Sequence, residues 1–241
     1  MKTIHQFGDS YGSTLYGYND SYITKNFIEL SSVYLNYEYT NNSVGGASNE
    51  IILNILLNNM NKIKKDDIIF INFSFFSRGC WYDDKNKKIK STNVLYNDII
   101  NTKKYHLTKN KCVINLIEYY LNESKDYNMR IFELINSTLT YLQSKGVSIF
   151  YIFAEETEWS DELLNVGTNI KFPSGFAKWL QKNDLHLEEE GHYKKGIQQY
   201  FSKTLLIKTN NFTKNCKTIY VDISDIDFNS PLAITLKNKI L

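Results

Sequence analysis

The sequence predicts an α/β protein built on a mostly parallel sheet with helices on both faces. Two near-continuous apolar runs of strand length point there first, Ile68-Ile69-Phe70-Ile71-Asn72-Phe73 and Val147-Ser148-Ile149-Phe150-Tyr151-Ile152-Phe153. Such runs mark strands buried on both faces of a parallel sheet. The second observation is their setting. The chain reads strand, helix, strand, helix, strand, insertion, helix, strand, and that alternation covers both faces of a sheet with helices. Third, 241 residues, 42% of them hydrophobic, suffice for one large α/β domain or two small ones.

Taken in order, residues 2–7 read as the first strand, with Ile4 and Phe7 apolar, and residues 11–20 as a Gly/Tyr/Asn-rich loop. A helix is expected from about Ser21 to Leu35, and Tyr37-Glu38-Tyr39 alternates as a short second strand. The turn-rich stretch Asn41 to Asn49 opens a helix from about Ser48 to Met60, with Ser48 or Asn49 as its cap. After the third strand, residues 79–122 read as a surface insertion containing a helix from Val113 to Leu121. A helix over Asp126 to Ser144 follows, its apolar stripe read as Ile131, Leu134, Ile135, Leu139 and Leu142, with Gly146 suited to its C-terminal cap. Residues 154–180 read as a second insertion, and Tyr193 to Ile207 as a final amphipathic helix. The expected division is a core domain over residues 1–207 and an extension over 208–241. The extension holds a strand from Thr218 to Ile223 that adds to the sheet edge or contacts a partner.

Composition narrows the function classes. A net charge of +2 argues against a nucleic-acid-binding surface. Two prolines leave no Pro-rich linker. Cys80, Cys112 and Cys216 are scattered, with no CxxC and no Cys/His metal spacing, so free thiols are expected and no metal. No apolar signal core follows Met1 and no run approaches membrane-spanning length. The expectation is a soluble protein, cytoplasmic or carried on a virion, that contacts neither membrane nor nucleic acid. Oligomerisation is left open.

The chemistry-bearing residues cluster at strand ends. Gly8-Asp9-Ser10 follows the first strand, which presents Ser10 at the carboxyl edge of the sheet, where ligands sit in open α/β folds. Alone, Asp9-Ser10 reads equally as a turn or helix cap. Gly45-Gly46 precedes a helix N-terminus, whose free N–H groups suit an anion or oxyanion. Asn72 and Ser74 end the third strand, either reaching toward that edge or satisfying neighbouring backbone groups. Asn183-Asp184-Leu185-His186 lies ahead of the final helix, and six residues separate His186 from His192, a spacing unlike a helical zinc pair. No GxGxxG or Walker pattern follows a strand, which disfavours a nucleotide binder.

Together these segments resemble the SGNH hydrolases, the GDSL esterase/lipase family. Gly8-Asp9-Ser10 is similar to the family's first block, Asn42 to Ser48 to its second, and Asp184 with His186 to its last. The resemblance implies a three-layer α/β/α sandwich around a flavodoxin-like, five-stranded sheet. It implies a serine esterase that uses no cofactor, with Ser10 as nucleophile, His186 as base and Asp184 as its orienting acid. Ser10, Gly46 and Asn72 would form the oxyanion hole, with Gly45 as reserve for Gly46 and Ser74 as a substitute for Asn72. Two departures stand out. The family's third block reads Gly-x-Asn-Asp where this chain has Asn72-Phe73-Ser74-Phe75-Phe76, and its Asp lies three residues before the His, where this chain has Asn183. His192 is a competing base. The implied substrate is a small-molecule or glycan ester such as carbohydrate O-acetyl, with Trp81, Trp159 and Trp179 able to stack on sugar or to fill the core. The alternative is a catalytically weak structural or glycan-binding module, such as part of a viral particle.

Overall fold

The computed structural model describes residues 2–12, 26–83, 88–91, 124–183 and 218–221. The sheet strands are β1 (Thr3–Gly8), β2 (Glu38–Asn41), β3 (Ile68–Phe73), β6 (Ser148–Phe153), β7 (Thr168–Lys171) and β8 (Thr218–Tyr220). Strands β4 (Cys80–Asp83) and β5 (Lys88–Ser91) form a separate antiparallel pair within the first expected insertion. The described helices are α1 (Phe27–Leu35), α2 (Asn49–Asn59), α3 (Ser124–Ser144) and α4 (Phe176–Lys182). Among the described residues no helix is long and apolar enough to cross a membrane.

The strands pair in the order β2-β1-β3-β6-β7-β8, every neighbouring pair parallel. Among the described residues the sheet has six strands, one more than the five the resemblance implies, because β8 from the C-terminal extension pairs beside β7. The stretch 154–180, read from sequence as an insertion, supplies β7 and α4. Its strand is only four residues long, too short for the periodicity that reveals a strand in sequence.

The first connection carries the chain from β1 outward to β2, and the next returns it to β3 on the other side of β1. Strand order therefore reverses between β1 and β3. A crevice opens at the carboxyl ends of strands where such a reversal occurs, and ligands bind there.

The two sheet faces bury different sets of side chains, because alternate residues of a strand point to opposite faces. Phe7, Ile69, Ile71 and Phe73 pack with Ile52, Leu53 and Leu56 of α2 and with Phe132, Ile135, Leu139 and Leu142 of α3. Ile4, Phe70 and Ile152 pack with Ile28 of α1 and with Phe176, Trp179 and Leu180 of α4. The result is three layers, α/β/α. Phe132 is fully buried against Phe73 at 4.9 Å and Phe153 at 5.8 Å between ring centroids. Burying one such ring contributes about 1.5–3 kcal/mol. The α3 stripe runs through Phe132, Ile135, Leu139 and Leu142, whereas Leu134, which the sequence reading placed on it, is 59% exposed. Helix α3 ends in a Schellman motif, with Val147 N–H donating to Leu142 O and Gly146 N–H to Gln143 O.

At the amino end of the sheet a buried carboxylate ties three elements together. Asp67, 3% exposed, accepts from Thr3 N–H at 2.9 Å and Lys64 N–H at 2.8 Å, and meets His5 Nε2 at 3.1 Å. The other ring nitrogen of His5 lies 2.9 Å from Thr40 Oγ1. Burial alone raises the Asp67 pKa, but the N–H groups of Lys64 and Thr3 and the His5 ring outweigh it and hold the group below its ordinary value. A carboxylate lowered on folding adds stability above its unfolded pKa, about 3.9, and that stability is lost as pH falls through the lowered value. Asp67→Asn is expected to flatten the acid limb of stability below about pH 4. It is also expected to cost about 2 kcal/mol at pH 7, where charged hydrogen bonds are lost. Urea unfolding between pH 3 and pH 7 checks both.

Candidate active site

The carboxyl end of β1 lies against β3, with Gly8 opposite Asn72. A Cβ built on Gly8 would fall 2.7 Å from Asn72 Cβ and 2.8 Å from Asn72 O, and Gly8 has φ of +153°. Only glycine meets both conditions at this point. The chain then turns, with Tyr11 N–H donating to Asp9 Oδ1 at 3.0 Å and Gly12 N–H to Asp9 O at 3.1 Å. Such side-chain-to-backbone bonding two residues on is the Asx turn that Asp favours.

Asp9 is fully buried, and its charge is matched. Arg78 Nη1 donates to Asp9 Oδ2 at 2.9 Å and to Ser74 Oγ at 2.8 Å, while Ser74 Oγ donates to Asp9 Oδ2 at 3.2 Å. The Arg78 guanidinium sits 4.6 Å from the centroid of the Phe75 ring, a cation–π arrangement. Tyr11 packs edge-on against Phe176 at 5.6 Å and against Phe75 at 6.4 Å. Burial, and then the Asp9 charge, raise the Tyr11 pKa, so its hydroxyl remains protonated at neutral pH. Between buried Asp9 and buried Tyr11, Ser10 is half-buried, the residue of this loop that reaches the sheet edge.

The segment after β2 is drawn to the same edge. Asn42 N–H donates to Gln6 O at 2.8 Å and Val44 N–H to Gly8 O at 2.9 Å. Ala47 N–H donates to Val44 O at 3.1 Å, and Gly46 has φ of +73°. This is a type II turn with glycine at its third position, where positive φ is required. The Gly46 N–H takes no part in that turn bond. Ser48 then caps α2, its side chain accepting from Ile51 N–H. Buried Asn49 docks the start of α2 on the next strand end, accepting from Ser74 N–H at 2.8 Å and donating to Ser74 O at 3.4 Å.

Residues 74–78 form the wall on the β3 side, each part held by a different element. Phe76 N–H donates to Glu155 Oε1, and Asn128 Nδ2 donates to Phe76 O at 2.8 Å. Ala177 N–H donates to Ala154 O at 2.8 Å, joining α4 to the end of β6. Both amide atoms of Asn72, 1% exposed, are without a hydrogen-bond partner among the described residues. An unsatisfied buried amide costs about 1–3 kcal/mol.

Cys80 lies behind α2, its thiol against the Glu50 carboxylate. Burial, with the Glu50 bond and charge adding to it, pushes the thiol pKa up to about 12. Since only thiolate is nucleophilic, alkylation of native Cys80 at pH 8 is expected to run roughly a thousandfold slower than after unfolding. Peptide mapping after iodoacetamide treatment measures it.

Ser10 and Gly46 thus lie in the loops after β1 and β2, and Asn72 one residue before the end of β3, three adjacent strands of the sheet. Asp184, His186 and His192 lie outside the described residues. Asn183 closes α4, its Nδ2 donating to Trp179 O at 2.8 Å. Trp159 and Trp179 are core residues, 8% and 3% exposed, and not surface platforms for sugar. Trp159 packs tilted against Phe76 at 4.6 Å and Trp179 edge-on against Phe172 at 5.0 Å, and large rings gain more from burial than from exposure. Sequence reasoning passed over Asp9, Asn49, Arg78 and Glu155 as site residues. One signal was available: of 28 basic residues only Arg78 and Arg130 are arginine, and Arg78 stands in the loop five residues past the end of β3.

The fold and edge cluster define a doubly wound α/β protein with a cluster of polar side chains at its topological switch point. No protein-family model matches the chain, and no curated protein matches it. Solved structures do show likeness. An acetyl xylan esterase from the rumen bacterium Butyrivibrio proteoclasticus is 15% identical, with a TM-score of 0.46, over 87% of this chain and 64% of its own. The YXIM protein of Bacillus subtilis is 14% identical, with a TM-score of 0.33, over 100% of this chain and 57% of its own. A carbohydrate esterase described as having divergent catalytic and non-catalytic binding functions is 15% identical, with a TM-score of 0.32, over 89% and 69%. The chain spans less than two thirds of the length of the first two.

Proposed function

We propose that the protein is a serine esterase, with O-acetyl groups on carbohydrate as its substrate class. The observation that carries this reading is the position of Ser10, half-buried between two buried neighbours at the topological switch point. A glycine turn and a partnerless buried amide stand at the adjoining strand ends. In this mechanism Ser10 Oγ attacks the ester carbonyl while His186 takes its proton. The N–H groups of Ser10 and Gly46 and the Asn72 amide hold the oxyanion. The alcohol leaves with the proton from His186, and water activated by the same imidazole releases the acid. Asp184 orients the imidazole. Asp184 is preferred to Asn183 because an anion also stabilises the imidazolium.

A second reading, a catalytically weak glycan-binding or structural module, is favoured by the burial of Asn72 to 1% exposure, because an oxyanion donor must reach a substrate atom. Hydrolysis of p-nitrophenyl acetate and of acetylated xylan by wild type and Ser10→Ala separates the two. Ser10-dependent turnover supports the esterase. Its absence on both substrates, with retained binding to the glycan, supports the module.

A further inference from the structure

We infer that Arg78 is the positioning residue of the nucleophile loop, an inference that rests on Ser10 being that nucleophile. One guanidinium nitrogen donates at once to Asp9 Oδ2 at 2.9 Å and to Ser74 Oγ at 2.8 Å. Those partners belong to the loops after β1 and β3, the strands that flank the switch point. Asp9 in turn holds the loop's shape by accepting from Tyr11 N–H at 3.0 Å through its other oxygen. The chain of contacts runs Arg78, Asp9, Tyr11, with Ser10 inside the turn it closes. Ser74 is itself held by the Asn49 side chain through bonds of 2.8 and 3.4 Å to its backbone, so Arg78 ties the Ser10 loop to the segment after β3 and, through it, to the start of α2. The Arg78 side chain is 11% exposed and that of Asp9 fully buried, so water competes little for the pair. The planar guanidinium, spread over the Phe75 ring, suits this place better than a flexible ammonium.

This cluster stands where the sequence departs from the Gly-x-Asn-Asp block of the family it resembles. Here the loops after β1 and β3 are joined by Asp9, Ser74 and Arg78. Arg78 need not touch the substrate. Its effect is on where Ser10 Oγ sits, and small misplacements of a reacting group are costly.

The test uses the full chain in four forms: wild type, Arg78→Gln, Arg78→Lys, and the double variant Asp9→Asn with Arg78→Gln, which strands no buried charge. Two readouts are taken, kcat and KM for p-nitrophenyl acetate per folded molecule, and amide exchange at Tyr11 and Gly12. Arg78→Gln is expected to lower kcat about 100-fold with little change in KM. It is also expected to speed Tyr11 and Gly12 exchange while Ile71 in β3 is unchanged. Arg78→Lys is expected to fall between it and wild type. The double variant is expected to regain thermal stability yet keep the low kcat and the fast exchange. Wild-type kcat in the double variant overturns the inference, because Arg78 then serves stability alone. Unchanged exchange at Tyr11 and Gly12 overturns it as well, whatever the activity. Absence of Ser10-dependent turnover in wild type defeats the esterase reading instead, and exchange alone then decides whether Arg78 positions the loop.

Discussion

Ser10→Ala is expected to lower kcat for p-nitrophenyl acetate by about a millionfold, the loss typical when the nucleophile of such a triad is removed. The loss is this large because the covalent route closes altogether, leaving only binding and oxyanion stabilisation. The Gly46 turn and the Asn72 amide remain in the variant, so its residual rate measures what those groups supply without a nucleophile. The fold is expected to survive. Ser10 is half-buried and has no hydrogen bond to another described residue, and substitutions of that kind fall within about 0.5 kcal/mol. Initial rates, with urea unfolding as a control for the folded state, give the answer. A variant rate within tenfold of wild type would remove Ser10 from the reaction.

Gly8→Ala carries the largest expected loss of stability, about 3 kcal/mol, from overpacking combined with backbone strain. The added methyl would stand 2.7 Å from Asn72 Cβ and 2.8 Å from Asn72 O. Neither neighbour is the free end of a flexible side chain. Relief requires β1 and β3 to separate, and these strands are paired from Ile4–Ile68 through Gly8–Asn72 at the middle of the core. The φ of +153° adds strain that no side-chain movement relieves. The urea midpoint is expected to fall with an unchanged slope, the sign of lost stability without a changed unfolded state. Parting these strand ends also shifts Ser10 away from Asn72, so activity is expected to drop further than stability alone accounts for.

Much of the fold was legible in the chain. The third strand was read at its observed bounds, Ile68–Phe73, because a near-continuous apolar run of that length marks a strand buried on both faces. Helix α3 and its glycine cap were legible because twenty-one residues give the 3.6 period room to show. Of the short strands, β2 and β8 were read near their observed places, Glu38–Asn41 and Thr218–Tyr220, and β7 was not. Strand β7 has four residues, and its register with β6 is made at Phe150–Thr168 and Tyr151–Asn169 by the sheet, not by any local pattern. The sixth strand, three residues long, gains its place from pairing with β7.

The candidate site divides the same way. Ser10 and the Gly45-Gly46 turn announce themselves locally, since a strand followed by glycine-flanked polar residues presents a hydroxyl or an amide at an edge. Arg78 and Asp9 do not, because their meaning is their contact across 69 positions.

Local sequence settled most of the alternation of strands and helices and the cap at Gly146, and narrowed the cap of α2 to Ser48 or Asn49, since each depends on backbone preferences and burial periods spanning a few residues. Tertiary structure decided which strand ends meet, that Trp159 and Trp179 fill the core, and that the Asp9 carboxylate is neutralised by Arg78. Those outcomes turn on packing and on charge pairing in a region shielded from water, and both energies exist only after distant segments have come together.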